Sequence, residues 1–193
     1  MGKLLLIDNF DSFTYNLLHL IKMEYNGDVK VVRNNQLNSI DIDSFNAIVI
    51  SPGPGNPQTT PDTMMIIDKC YGNIPILGVC LGMQCLNEFK GGKTVKAPYP
   101  IHGKKSIISV TNSNSILFNG IPTTFEVGRY HSLQCVIMSD DLKVTARSED
   151  DIPMAIEDKK NKAFGVQFHP ESFLSDYGRI ILKNFINQVS NAD

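Results

Sequence analysis

Between the apolar run at residues 74–79 (IPILGV) and the helix-like stretch Leu81–Phe89, the chain sets one cysteine, Cys80, with glycines at 78 and 82. A small-residue turn between a strand and a helix takes the backbone through a sharp bend and holds the apical side chain out from it. The spacing Gly78-x-Cys80-x-Gly82 matches the GxSxG nucleophile elbow with sulfur in place of oxygen. A thiol at that point lies at a helix N-terminus, whose partial positive charge favours the thiolate. The feature demands a strand followed directly by a helix, which is the unit of an α/β layered fold.

The surrounding pattern repeats that unit. Lys3–Asp8 (KLLLID) reads as a strand, and Asp11 or Ser12 is the N-cap candidate for the next helix. There Phe13, Leu17, Leu20 and Ile21 form one apolar stripe that ends near residues 25–27. Residues 29–33 and 47–51 (AIVIS) are further strands, the second apolar throughout as a strand covered on both faces should be. A helix around residues 63–71 precedes the elbow, and Gly91 and Gly92 close the helix after it. The alternation predicts a doubly wound, mostly parallel sheet flanked by helices.

From Thr94 to about Gln167 the segments become short and strand-like: Lys104–Val110, 124–127, 142–147, 154–157 and 163–168. They predict an additional small mixed or antiparallel sheet. Leu182, Phe185, Ile186 and Val189 predict one last amphipathic helix.

At 193 residues the chain corresponds to about one domain, expected over residues 1–193. Its formal charge of −2 advertises neither a nucleic-acid nor a membrane partner. No apolar run approaches the roughly 20 residues a membrane helix needs, and the start MGKLLLIDNF turns acidic too early for a signal peptide. A cytoplasmic protein is expected. Cys70, Cys80, Cys85 and Cys135 form no CxxC pair, so neither disulfides nor a metal site is expected, and all but Cys80 read as inert buried thiols.

A nucleophilic cysteine needs a base, and the candidates are His19, His102, His131 and His169. His169 ends the apolar strand AFGVQF and is followed by Pro170 and Glu171. In an extended segment residues two apart share a face, so the Glu171 carboxylate can orient the His169 imidazole. In SPGPGNP, Gly53 and Gly55 retain N–H donors suited to an oxyanion or a substrate backbone, and no phosphate-loop spacing is present. Asp8, Asn9 and Asp11 read as helix-capping residues rather than metal ligands, and Lys159, Lys160 and Lys162 as a solvated hairpin turn.

With PILGVCLGMQ and GVQFHPES in one chain, the sequence resembles the class I glutamine amidotransferases over essentially all 193 residues. DNFDSFTYNL, ISPGPGNP, HGK and RYHSL resemble the chorismate-using branch of that family. The resemblance implies that Cys80 attacks the side-chain amide of L-glutamine, that His169 moves the proton to the departing ammonia, and that Glu171 holds His169. It implies an oxyanion hole from the backbone N–H groups of Gly53 and Leu81, and glutamine contacts from Pro54, Gly55, Gln84, Ser132 and Leu133.

It further implies no cofactor in this chain. A larger, magnesium-dependent, chorismate-binding synthase subunit is the expected partner, in a heterodimer or heterotetramer making anthranilate or 4-amino-4-deoxychorismate. His102–Lys104 and the YHSL segment are the expected neighbours of that contact. Two positions depart from the branch: Met83 stands where His is frequent, and Ile101 where Met often precedes HGK. The alternatives are an amidotransferase subunit for another acceptor (GMP, carbamoyl phosphate or imidazole glycerol phosphate synthesis), a free-standing γ-glutamyl cysteine hydrolase, and a non-catalytic glutamine-binding subunit.

Overall fold

The computed structural model describes residues 2–190; Met1 and residues 191–193, the ends of the range expected as one unit, lie outside the described residues. In chain order the elements are β1 (Lys3–Asp8), α1 (Thr14–Glu24), β2 (Asp28–Arg33), β3 (Ala47–Ile50), α2 (Pro61–Cys70), β4 (Ile76–Val79) and α3 (Leu81–Phe89). There follow β5 (Lys93–Lys96), β6 (Lys104–Val110), β7 (Thr124–Arg129), β8 (Leu133–Val136), β9 (Lys143–Ser148), β10 (Pro153–Asp158), β11 (Ala163–Val166) and α4 (Gly178–Ser190).

Nine strands form one sheet in the order β2-β1-β3-β4-β11-β10-β9-β6-β7. The run from β2 to β11 is parallel. From β11 onward every neighbour is antiparallel. The strand-rich second half therefore extends the main sheet, and the separate small sheet is only the antiparallel pair β5-β8. The short segments need no second sheet because β11 returns to the edge of β4 and gives them an edge to grow from.

Alternation along β1 shows how the sheet holds its helices. Leu4 and Leu6 join the cluster under α1 and α4, with Leu17, Ile21, Ile181, Leu182 and Phe185. Leu5 and Ile7 point the other way, to Ile66, Ile67, Leu81, Met83 and Leu86 of α2 and α3. All four β1 side chains are fully buried. Each is worth about 1.5–3 kcal/mol relative to exposure, so both faces of this strand are committed to the core. No helix among the described residues is long and apolar enough to cross a membrane.

Several local expectations change. Neither Asp11 nor Ser12 caps α1: Phe13 holds the N-cap position without a side-chain bond. Asp8 instead gathers the turn, its Oδ1 accepting from the Phe10 N–H at 2.9 Å and the Thr14 hydroxyl at 2.9 Å. Asp11 accepts from the Phe13 N–H at 2.8 Å, an Asx turn one step before the helix. Phe13 stands outside the apolar stripe and packs against Tyr130 and His169, while Leu17 and Ile21 stay in the core. Strand β11 ends at Val166, two residues before the expected boundary.

Candidate active site

The elbow forms at the C-terminal end of β4. Cys80 has φ +52° and ψ −100°, a conformation that L-residues hold only where the surroundings impose it. Its N–H donates to the Val166 carbonyl at 2.7 Å, and its carbonyl accepts from the Gln84 N–H at 3.1 Å. The glycines allow the close approach this requires. A β-carbon at position 78 would lie 2.3 Å from the Gly82 carbonyl carbon, and one at 82 would lie 2.7 Å from the Ile50 carbonyl oxygen.

The parallel pairing of β11 with β4 brings the second part of the site alongside. His169 Nδ1 lies 2.6 Å from Glu171 Oε1, and both side chains are buried. The route differs from the extended segment expected: Pro170 and Glu171 form a turn closed by the Ser172 N–H donating to the His169 carbonyl at 3.2 Å. The turn carries the carboxylate back to the imidazole. Burial by itself disfavours the imidazolium, but hydrogen bonds to Cys80 and Glu171 outweigh it and push the His169 pKa up to about 10. Phe13 and Tyr130 flank the ring at centroid distances of 5.3 and 4.9 Å.

A cavity of about 180 Å³ opens over Cys80. Its lining brings together Gly53, Pro54, Gly55, Gln84, Ser132 and Leu133, and adds His102, Tyr130 and His131. Leu81 lies just behind, within reach of Gly53: a β-carbon at 53 would meet Leu81 Cδ2 at 2.9 Å. His169 and Glu171 stand outside the lining and reach the cavity through Cys80. His19 is exposed on α1, remote from this lining in the sequence and absent from it.

Two groups of supporting residues have roles that their sequence strings do not disclose. Asn9 ties the SPGPG loop to β1, its backbone N–H donating to Ser51 Oγ at 2.9 Å and its side chain to the Ser51 carbonyl at 3.0 Å. Thr63 and Asn34 both donate to Asn9 Oδ1. On the other wall, buried Arg129 donates through Nε to His131 Nε2 at 3.0 Å and pairs with Asp150 at 3.0 Å. With Nε2 accepting, His131 carries its proton on Nδ1 and donates it to the Leu133 carbonyl at 2.8 Å. Burial, then the Arg129 charge, push its pKa down to about 4, so it is neutral at pH 7 and unsuited to receiving a proton there.

The other cysteines are free and buried. Burial raises all three thiols, Cys70 to about 11 and Cys85 to about 12, with Cys135 also raised. Met83, one of the departures noted above, is buried against Gly165 and faces away from the cavity.

A doubly wound sheet with a cysteine elbow and a neighbouring His–Glu pair is an arrangement for acyl transfer through sulfur. The family model for class-I glutamine amidotransferases matches residues 5–189, and the chain belongs to that family. It is 45% identical to anthranilate synthase component 2 of Cyanophora paradoxa, over 95% of this chain and 98% of that protein. It is 40% identical to the chloroplastic anthranilate synthase beta subunit 2 of Oryza sativa, over 95% of this chain and 70% of that one. Among solved structures, a candidate GMP synthase subunit from Thermoplasma acidophilum superposes with a TM-score of 0.88 at 29% identity, covering 98% of this chain and 94% of the other.

Proposed function

We propose that this chain is the glutaminase subunit of a chorismate-using synthase, releasing ammonia from L-glutamine for a larger subunit that makes anthranilate. The observation that carries the reading is Cys80, held at positive φ in the lining of the cavity, with a buried His169–Glu171 pair whose imidazole its sulfur helps to hold charged. The anthranilate synthase names of relatives that match nearly the whole chain support the acceptor.

In this mechanism the Cys80 thiolate attacks the side-chain carbonyl carbon of glutamine, and the oxyanion takes hydrogen bonds from the Gly53 and Leu81 N–H groups. As the adduct collapses, the C–N bond breaks and the His169 imidazolium gives its proton to the leaving nitrogen, releasing ammonia and a glutamyl thioester. His169, now neutral, takes a proton from water as it adds to the thioester. The C–S bond then breaks, glutamate leaves, and the thiolate–imidazolium pair is restored. Glu171 holds the imidazole and its charge throughout. Pro54, Gly55, Gln84, Ser132 and Leu133 place the glutamine.

Ammonia freed into water at pH 7 becomes mostly non-nucleophilic ammonium, which favours its transfer across a subunit contact. His102 and Tyr130 line the cavity, and Tyr99 is exposed nearby in sequence, which supports a partner contact at this mouth. No cofactor is assigned to this chain; the magnesium belongs to the partner's chorismate chemistry.

The test joins the chain to its synthase partner with glutamine, chorismate and magnesium, and identifies the product by mass. Anthranilate is expected. With Cys80→Ser the glutamine-dependent product should vanish while added ammonia still supports synthesis. 4-Amino-4-deoxychorismate would move the chain to the folate-forming branch, and neither product would move the acceptor outside chorismate chemistry. Full glutamine-dependent turnover by Cys80→Ser would sink the nucleophile assignment.

A further inference from the structure

The elbow sulfur has a second neighbour besides His169. In the parallel ladder Val166 of β11 sits opposite Val79 of β4, so the next residue of each strand, Gln167 and Cys80, emerge side by side. Their backbones are fixed there by the Cys80 N–H bond to the Val166 carbonyl at 2.7 Å and the Gln167 N–H bond to the Met154 carbonyl at 2.9 Å. Gln167 is fully buried, between two fully buried apolar residues, Val166 and Phe168. A primary amide in such surroundings is costly unless its polar atoms find partners.

Both polar ends do find partners, and the partners set its direction. Gln84 Nε2 donates to Gln167 Oε1 at 3.4 Å, which leaves the Gln167 N–H group facing Cys80 Sγ at 3.5 Å. That distance suits a donor to sulfur, whose radius lengthens the bond. The reversed amide would turn its oxygen on the sulfur and its nitrogen on the Gln84 donor, unfavourable at both ends.

We infer that Gln167 is a further catalytic residue, whose side-chain N–H donates to the Cys80 sulfur and stabilises it as a thiolate. The inference rests on the glutaminase reading and adds a residue to it. Gln167 differs from His169 in kind. His169 gives up its proton during each turnover, and for that interval the sulfur loses its charged donor. An amide keeps its hydrogens at every pH in use, so Gln167 donates both to the attacking thiolate and to the sulfur that leaves when water cleaves the thioester. Bonding is weakest in the thioester, where sulfur carries least charge, and grows as the C–S bond breaks and the thiolate re-forms. That is differential stabilisation of the kind that raises turnover.

The test measures two things on the full chain: the rate at which iodoacetamide alkylates Cys80, read by peptide mass, and glutaminase kcat and KM. Cys70, Cys85 and Cys135 are buried with raised pKa values, so alkylation near neutral pH reports Cys80. Gln167→Leu should lower both the alkylation rate and kcat by roughly 10- to 100-fold, somewhat less than loss of an oxyanion donor because sulfur is the weaker acceptor, with KM little changed. Gln167→Glu keeps the shape and turns a carboxylate oxygen toward the sulfur, so its losses should be larger still. Wild-type alkylation by folded Gln167→Leu overturns the inference. Should that variant not fold, wild-type alkylation by Gln167→Glu overturns it equally. Alkylation needs no glutamine, so a wild-type chain without glutaminase activity even beside its synthase partner would sink the functional reading while the comparison of variants still decides the role of Gln167.

Discussion

The two halves of the nine-stranded sheet reach the same cavity by different means. The parallel half, β2 to β11, carries the groups proposed to react: Cys80 follows β4, and Gln167, His169 and Glu171 follow β11. The antiparallel half supplies a wall: β7 leads through Arg129 to His131, Ser132 and Leu133. In the first half the groups proposed to react sit just past two adjacent strand ends, Cys80 and Gln167 where β4 and β11 stop and His169 and Glu171 in and beside the turn that follows. In the second, a loop is held by a relay running from the exposed Asp150 through buried Arg129 and His131 to the Leu133 carbonyl. Changes at Cys80, Gln167, His169 and Glu171 should therefore strike turnover, and changes in the Arg129–His131 relay should strike substrate affinity.

The largest effect should come from Gly82→Val, which drives a side chain into the Ile50 carbonyl and wall of β3. Overpacking costs about 1–3 kcal/mol, and a collision with backbone lies at the top of that range, so the melting midpoint should fall and glutaminase activity disappear. Next, Glu171→Gln keeps the volume but removes the charge facing His169. A kcat loss of roughly 10²–10⁴ with little change in KM is expected in a steady-state assay. Arg129→Lys, on the other half, loses the Nε donor to His131 and should raise KM roughly tenfold while kcat holds. A fall in kcat alone would break the comparison.

A pH titration sharpens it further. His131 has its pKa lowered from 6.5 to about 4 in the folded chain, so as pH falls the unfolded chain binds that proton first. Its contribution to stability is complete above about pH 6.5 and is lost as pH drops towards 4, by at most ~3 kcal/mol. Chemical denaturation across that window should show the slope, and His131→Gln should flatten it. The smallest effect belongs to Lys105→Ala. The Lys105–Glu126 pair bridges β6 and β7 on the exposed surface, and its loss should leave the melting midpoint unchanged.

The parallel half is the more legible in sequence. Continuous apolar runs such as ILGV and AIVI bury both faces, and the glycines at 78 and 82 announce the elbow. The β5-β8 pair is hidden because KTVK is largely exposed and LQCV only partly buried, so neither shows a clear alternation. Helix α1 starts later than its Asp11 and Ser12 suggest because the deciding acceptor, Asp8, lies on the strand before the turn. His169 and Glu171 meet, but through a turn at Pro170 that the extended reading does not contain. Gln167 and His131 lie inside GVQFHPES and RYHSL, but those strings give neither its role: what distinguishes them is a neighbour in space, Cys80 for one and Arg129 for the other.

The site also has a history in time. Cys80 and Gln167 touch across 87 residues of chain, because β11 must return to β4 after the intervening strands have been laid elsewhere. Contacts so distant form late in folding, and during synthesis the N-terminal layers can collapse before the last strand exists. A ribosome-bound chain that has emerged only as far as α3 and β5 exposes its thiol without a base, a counter-charge or the facing wall. Ammonia release thus waits for the final strand, so a truncated or half-made copy cannot spend the cell's glutamine.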